Sequence, residues 1–422
     1  MRASVLNLGC KVNFYDSEKI KKVIIQNGIL LVEFKNIADI YIINTCSVTQ
    51  MSDKKSRQMI SRARSKNVNS IIIAMGCYAK LNKAYLLENQ IADYVCSNID
   101  ELEKIIIDLK KNLEVYNHKD NNTDNKLNLK IKTKKRFRAF IKIQDGCNNF
   151  CSYCVIPYAR GLPNDRDINE ILDEVNYLCD NENIKEIVLT GINISSYKKL
   201  IDLIKELNNI KKLLRIRISS IEVNLLNDFF INKIKTFKKL CPHFHIPLQS
   251  GSNKILKSMN RKYDTDFFYD SIQKIKSIEN ISITTDIIVG FPDETDEDFN
   301  DTYNFIKKIN FFKIHVFPYS QRKNTKAINF KNQVNESIKK YRSKKIIKLS
   351  SELSKNFIKS MLNKTFEVLI EENKNEFYFG YTDNYIKIKV KSNSLKINDI
   401  VKVRIGNIIT EPPLEAEILR FF

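Results

Sequence analysis

The sequence predicts an α/β protein in three parts: an N-terminal parallel α/β domain, a central partial (β/α) barrel and a small C-terminal antiparallel β-barrel. Three observations predict it. Over the first hundred residues, short β-branched runs alternate with helical stretches. The alternation returns over more units from about Phe137 to Phe317. Residues 363–422 read instead as closely spaced alternating strands joined by short turns.

Each element follows from its local pattern. SVLNLG, ADIYIINTC and SIIIAMGC are apolar runs of strand length, each ending in or just before a turn that carries a cysteine. SEKIKKVIIQNG and DKKSRQMISRARS between them have helical periodicity with polar faces, so the strands are predicted to lie parallel, with ligand chemistry at their carboxyl ends. Residues 1–112 form this first domain, and the polar, Asn-rich stretch 113–135 reads as a linker. Within 136–362, FRAFIKIQDG, EIVLTGI, LLRIRISSIE, HFHIPLQ, ISITTDIIVG and FFKIHVFPYS alternate with helices, which predicts a parallel barrel or part-barrel with its site at the strand C-terminal ends. A long basic helix is expected from about Asn335 to Leu362. FEVLIEE, EFYFGYT, YIKIKVKS and IVKVRIGNII supply the terminal barrel.

Composition narrows the function. Hydrophobic residues at 43% and aromatics at 10% exclude global disorder. Apolar runs are short and interrupted by Lys, Asn or Asp, so no transmembrane helix is expected. The start, MRASVLNLGCKVN, lacks a secretory signal, so a cytoplasmic protein is expected. The 70 Lys+Arg against 49 Asp+Glu leave a net charge of +21, which favours an anionic partner such as nucleic acid even after allowance for a chain rich in Ile, Lys and Asn. From Asn363 onward cations and acids balance, so the excess lies upstream. Lys126–Arg138 is a strip of cations without acids, either a solvated tether or a phosphate contact. Phe377, Tyr378, Phe379, Tyr381 and Tyr385 of the terminal barrel are either base-stacking or core aromatics.

Nine cysteines without an export signal are expected to be reduced thiols. Cys147, Cys151 and Cys154 are spaced CxxxCxxC in QDGCNNFCSYCVIP, directly after a predicted strand. Thiolates this close on one loop suit a soft metal or an iron–sulfur cluster. A structural zinc would need a fourth ligand, and His243 and His245 lie far along the chain. Three thiolates on a four-iron cube leave one iron open to bind and reduce something. Cys10, Cys46 and Cys77, each at a predicted strand end, either converge as ligands or are buried core thiols.

At CxxxCxxC, with an aromatic, Tyr153, before the last cysteine, the chain resembles the radical S-adenosylmethionine enzymes. More narrowly, it resembles the tRNA methylthiotransferases, through LGCKVNFYDSE, INTCSVTQMSDKKSRQ, GCYAK, QDGCNNFCSYCVIPYARG, EIVLTGINI, RISSIE, CPHFHIPLQSGSNKILKSMNRKY, TTDIIVGFPDETDEDF and HVFPYS. The terminal barrel fits that family's TRAM domain. Within the family, LGCKVN, INTCSVT and CPHFHIPLQSG are most similar to the branch acting on threonylcarbamoyl-modified adenosine next to the tRNA anticodon. Sister branches act on isopentenyladenosine in tRNA or on an aspartate of a ribosomal protein. A non-enzymatic RNA-binding iron–sulfur or zinc protein is the remaining alternative; it would leave six cysteines without a chemical purpose.

The resemblance implies two 4Fe–4S clusters, one on Cys147, Cys151 and Cys154 and a second on Cys10, Cys46 and Cys77, together with S-adenosyl-L-methionine. It leaves Cys96, Cys179 and Cys241 as core thiols. The implied reaction replaces hydrogen on carbon 2 of the adenine at tRNA position 37 by a methylthio group. One S-adenosylmethionine gives the radical, a second gives the methyl group, and the second cluster presents sulfur. Tyr153, Thr190, Gly191, Ser220, Glu222, Gln249 and Gly290 are the expected cofactor contacts, with Tyr153 against the adenine and Gly290 packing beside it. The implied partners are tRNA, an electron donor such as a flavodoxin or ferredoxin, and a sulfur donor. A monomer is expected, and no membrane.

Two departures from the family pattern concern tRNA contact. After YARG the family continues with an Arg-Ser-Arg-like run, whereas this chain reads LPNDRDI and keeps only Arg166. Where the family has a glycine in the barrel-closing segment, Asn324 stands in SQRKNTKA. His243 and His245 share one face of a predicted strand, as core or substrate-facing residues; His118 and His315 carry no signal.

Overall fold

The computed structural model describes residues 1–117, 137–406 and 412–421. The basic strip up to residue 136, most of the expected linker and His118 lie outside the described residues. Two compact units are present: one of residues 1–117, Cys154–Leu162 and Gln321–Asn324, the other of the remaining described residues.

In the first unit, β1 (Arg2–Asn7), β2 (Leu30–Leu31), β3 (Ile40–Thr45), β4 (Ile71–Met75) and β5 (Tyr94–Cys96) form a parallel sheet in the order β2-β1-β3-β4-β5. Helix Lys11–Gln26 crosses from β1 to β2, Gln50–Lys66 from β3 to β4, and Gly76–Leu81 with Lys83–Glu88 from β4 to β5, as parallel pairing demands, while Ile99–Asn117 follows the last strand. Strand β3 is buried throughout, and its alternation divides two cores. Ile40 and Ile42 pack with Ile20, Ile24 and Ile106, while Tyr41 and Ile43 pack with Ile60 and Ala63 on the other face. The last helix runs to Asn117, beyond the expected domain end at 112, because nothing in KKNLEVYN breaks a helix.

In the second unit, β6 (Arg138–Asp145), β7 (Asn164–Asp165), β8 (Glu186–Gly191) and β9 (Arg215–Ile218) pair in the order β7-β6-β8-β9, with β7 an antiparallel edge. Strands β10 (His243–His245), β11 (Ser282–Val289) and β12 (Lys313–Pro318) form a second parallel set. Bonds from Cys241 N to Ile216 O (2.8 Å) and from Ile221 N to His245 O (3.0 Å) join the two sets into the expected partial barrel. The basic helix spans Glu336–Met361.

The terminal strands β13 (Thr365–Lys374), β14 (Phe377–Thr382), β15 (Lys387–Lys391), β16 (Ile400–Ile405) and β17 (Leu414–Phe421) close as a barrel in the order β13-β14-β15-β17-β16. The expected antiparallel pairing holds except between β15 and β17, which run parallel. Tyr381 and Tyr385 are not platforms for bases. Their rings stack at 4.9 Å on one another, with Arg138 5.0 Å and Arg217 4.5 Å over Tyr381 and Tyr385 respectively. Those arginines, with Arg215, surround the buried Glu186 carboxylate at the amino end of the partial barrel, Arg217 Nε lying 3.1 Å from it. Burial raises the carboxyl's pKa, but three guanidinium charges outweigh it and hold Glu186 below the ordinary range.

None of the helices is long and apolar enough to cross a membrane, among the described residues. Asn324 has φ +68°, a left-handed conformation that asparagine tolerates better than most side chains, which explains how it replaces a glycine. Arg166 binds Glu174 at 2.9 Å and the Lys142 carbonyl at 2.7 Å, a structural duty.

Candidate functional site: two thiol triads

Cys10, Cys46 and Cys77 stand just past the ends of β1, β3 and β4, the three adjacent central strands of the first sheet. Parallel neighbours end on the same edge, so thiols separated by tens of residues gather at one rim. Cys10 is the N-cap of the 16-residue helix Lys11–Gln26.

A buried amide network fixes this rim. Asn13 Nδ2 donates to Asn44 Oδ1 and to Thr45 O, both at 2.9 Å, and Asn44 Nδ2 returns a bond to Asn13 O at 2.8 Å. Thr45 Oγ1 donates to Met75 O and accepts from the Ala79 amide at 2.9 Å. Two glycines allow the approach. A Cβ on Gly9 would meet Asn13 Cγ at 2.4 Å, and one on Gly76, at φ +86°, would meet Thr45 O at 2.3 Å. Each precedes a cysteine, so the chain is pressed against the network where the thiols emerge.

Charged and polar donors face these sulfurs. Arg160 Nε lies 3.4 Å from Cys77 Sγ, while its Nη2 reaches Asn13 Oδ1 at 2.9 Å. Burial pushes the Cys77 thiol up, against the Arg160 charge and hydrogen bond. Burial likewise raises the Cys46 thiol, against hydrogen bonds from the Val48 amide and the Ser52 side chain. Arg322, from the segment Gln321–Asn324, binds Asp53 at 2.8 Å and Ser47 beside Cys46.

The second unit carries Cys147 and Cys151 on the loop after β6; Cys154 opens the segment Cys154–Leu162 of the first unit. The loop is pinned from several sides. Asn260 Nδ2 donates to Phe150 O at 3.0 Å and to Asn149 O at 3.3 Å, Ser152 N to Met259 O at 3.1 Å, and Ala327 N to Ser152 O at 2.8 Å. Cys147 Sγ accepts from the Asn149 amide at 3.5 Å; burial raises this thiol's pKa, and that bond opposes the rise. Cys151 Sγ accepts from Arg261 Nη1 at 3.3 Å. Arg261 is itself held by Glu222, by Tyr263 Oη at 3.0 Å and by the Tyr263 ring.

A cavity of about 220 Å³ opens here, lined by Asn149, Cys151, Asn193, Ser195, Glu222 and Arg261 among others. It is smaller than the ~300–1,000 Å³ typical of whole-ligand pockets, so it suits one polar end of a ligand. Of the expected cofactor contacts, Glu222 lines it, with its carboxylate bound to Arg261. Tyr153 packs beside Ile255, Met259, Phe291 and Tyr319, while Thr190 is buried and Gly191 closes β8 against Gln144. Ser220 is half-buried, and Gln249, at φ +67°, bridges to Ile287. At Gly290 a Cβ would strike Lys339 Cγ at 2.3 Å, so the missing side chain makes room for the basic helix.

The donor sets fit iron–sulfur clusters. Each place carries several cysteine thiols, and amides and guanidinium groups aim at them. Among the described residues no three His, Cys, Asp or Glu side chains converge as single-ion ligands do. A cubane's thiolates bind separate irons and stand further apart. The remaining cysteines contrast with these. Cys96 and Cys241 are buried in the cores, and burial pushes both thiols up to about 12. Cys179 rises to about 11 for the same reason.

Sequence reasoning gave no role to Asn13, Asn44, Arg160, Asn193 or Arg261. All but Asn193 are polar residues close to a cysteine or inside the quoted MNRKY stretch, which was the available signal. His245 was also underrated: its Nε2 lies 3.1 Å from Asp286 and its ring centroid 5.7 Å from that of His315.

Comparison with known proteins agrees with this geometry. Residues 141–306 match the Radical SAM superfamily, and residues 2–97 match the family described as "Uncharacterized protein family UPF0004". The chain is 40% identical, over 94% of its length and 92% of the relative's, to "Threonylcarbamoyladenosine tRNA methylthiotransferase MtaB" of Bacillus subtilis (strain 168). A protein of the same title from Aquifex aeolicus (strain VF5) is 37% identical over 96% of this chain and 100% of its own. "tRNA-2-methylthio-N(6)-dimethylallyladenosine synthase" of Thermodesulfovibrio yellowstonii is 34% identical, covering 95% of each. Among solved structures, the radical S-adenosylmethionine methyltransferase TsrM from Kitasatospora setae shares the fold at TM-score 0.55 and 12% identity, covering 75% of this chain and 72% of that one. By sequence identity over nearly its whole length, the chain belongs to the radical S-adenosylmethionine tRNA methylthiotransferase family.

Proposed function

We propose that this protein methylthiolates carbon 2 of N6-threonylcarbamoyladenosine at position 37 of tRNA, next to the anticodon. The observation that supports the reading is an arginine directed at a cysteine in each of the two candidate sets, Arg160 at Cys77 and Arg261 at Cys151. Chemistry at an unactivated ring carbon lies beyond acid–base side chains. When bound, two 4Fe–4S clusters and S-adenosyl-L-methionine supply the electron, the hydrogen abstraction, the sulfur and the methyl group.

The chain's own residues hold and orient. Cys147, Cys151 and Cys154 would ligate one cluster, Cys10, Cys46 and Cys77 the other. Arg261 donates to Cys151 and, through its bond to Glu222, keeps that carboxylate turned into the cavity. The cavity's amide and hydroxyl groups, from Asn149, Asn193 and Ser195, suit the amino-acid end of S-adenosylmethionine. Tyr153 lies in the apolar patch where an adenine ring finds flat contact, and Thr190, Gly191, Ser220 and Gln249 complete the proposed surround. An electron donor such as a flavodoxin or ferredoxin and a sulfur donor are required, with the chain working as a monomer.

A second reading keeps the chemistry and changes the base to isopentenyladenosine, favoured by the 34% identity to the dimethylallyladenosine synthase. One experiment separates them. The gene is expressed in a host lacking both methylthio marks, and tRNA nucleosides are analysed by mass spectrometry. The methylthio form of threonylcarbamoyladenosine is expected, and it should vanish with Cys151→Ala. Methylthio-isopentenyladenosine alone would select the second reading, and neither product from iron-loaded protein would overturn both.

A further inference from the structure

We propose that Arg160 is a positioning residue of the N-terminal triad, setting the charge at Cys77 and so raising the reduction potential of the cluster held there. The inference rests on the reading of Cys10, Cys46 and Cys77 as cluster ligands. Arg160 ends the short helix Ile156–Arg160, and its side chain is 10% exposed. Its guanidinium is held in place, with Nε 3.4 Å from Cys77 Sγ and Nη2 2.9 Å from Asn13 Oδ1 and 3.4 Å from Asp16 Oδ2. Asn13 cannot yield, since its own amide is committed to Asn44 and Thr45. The N–H dipole and the cationic group are therefore aimed at the sulfur.

Reduction places one more electron on the cluster, spread in part over its sulfur ligands, and breaks no bond. A fixed cation and an N–H donor stabilise that added charge more than the oxidised state, and burial limits its screening. Asp16, which accepts from Nη2 of the same guanidinium, offsets part of the effect. The segment that opens with Cys154, assigned to the other cluster, thus also carries the charge that tunes the second one.

The test uses the full-length chain with Cys147→Ala and Cys151→Ala, so that only the N-terminal triad can be loaded with iron and sulfide. The cluster is titrated with dithionite, and the reduced form is followed by electron paramagnetic resonance. Arg160→Gln should lower the reduced-to-oxidised ratio at fixed potential about tenfold, equivalent to ~59 mV for a one-electron couple. Arg160→Lys should recover part of the shift. Asp16→Asn, which leaves Arg160 in place, should shift the ratio the opposite way. An unchanged midpoint in Arg160→Gln at full iron content would overturn the proposal, as would Asp16→Asn lowering the potential if Arg160→Gln fails to hold the cluster. If the parent variant takes up no iron, the cluster reading fails and this proposal falls with it, an outcome distinguished by iron analysis alone.

Discussion

The two candidate cysteine sets are built by opposite routes. The CxxxCxxC set lies within eight residues of chain, with Cys147 and Cys151 on a loop pinned by Asn260 and by the backbone of Met259 and Ala327. The N-terminal set spans Cys10 to Cys77 and exists only because β1, β3 and β4 are parallel neighbours with a common end. One site is therefore robust to changes in the sheet, whereas the other is a property of the sheet. The difference shows in what surrounds them. A buried asparagine network and two glycines without room for a Cβ support the distributed triad. An arginine held by Glu222 and Tyr263 and the Asn149 amide serve the local one.

The largest effects should separate the triads by function. Cys151→Ala should abolish both 5′-deoxyadenosine release from S-adenosylmethionine and product formation. Cys77→Ala should abolish the methylthio product while 5′-deoxyadenosine is still released, and each variant should lose about half the iron. Chromatography of the nucleoside products checks both, and equal loss of both activities in Cys77→Ala would break the division of labour.

Next comes Gly76→Ala, which sets a methyl against Thr45 O in a left-handed conformation. It should cost on the order of 3 kcal/mol and empty the N-terminal triad preferentially. Gly28→Ala has φ +73° but open space around it, so about 1–2 kcal/mol is expected there, with iron content unchanged. Denaturant melts with iron analysis would decide.

Arg261→Gln removes the donor to Cys151 and uncouples Glu222. Activity should fall about 10–100-fold while the N-terminal triad keeps its iron, with Arg261→Lys partly restoring turnover. Steady-state product formation is the readout.

The smallest effects compare the supports. Asn13→Ala leaves Asn44 and Thr45 with unmade bonds and should cost about 2 kcal/mol, whereas Asn260→Ala should cost about 1 kcal/mol. Equal costs would mean that the distributed triad is no more dependent on its network than the local one on its loop.

Legibility followed the same division. The strands carrying the cysteines were readable from SVLNLG, ADIYIINTC and SIIIAMGC, since buried parallel strands are continuous apolar runs. The edge pieces β2, β5 and β7 were not, because two or three residues carry no period. Strand β17 was overlooked although LEAEILRF alternates, and it brings the parallel pairing with β15 that short-turn reasoning does not anticipate. Tyr381 and Tyr385 looked available for bases until their arginine partners, more than 160 residues away in the chain, were placed upon them.

By itself the sequence determined the α/β order and the CxxxCxxC spacing, because strand patterning and ligand spacing are local properties of the chain, whereas Cys10, Cys46 and Cys77 became ligand candidates through the family resemblance. The tertiary structure alone decided that Arg160 faces Cys77, that Arg261 faces Cys151 and that Gly290 makes room for Lys339. A guanidinium group's partner is set by where buried charge can be compensated, and that depends on which distant elements the packed core brings within hydrogen-bond reach.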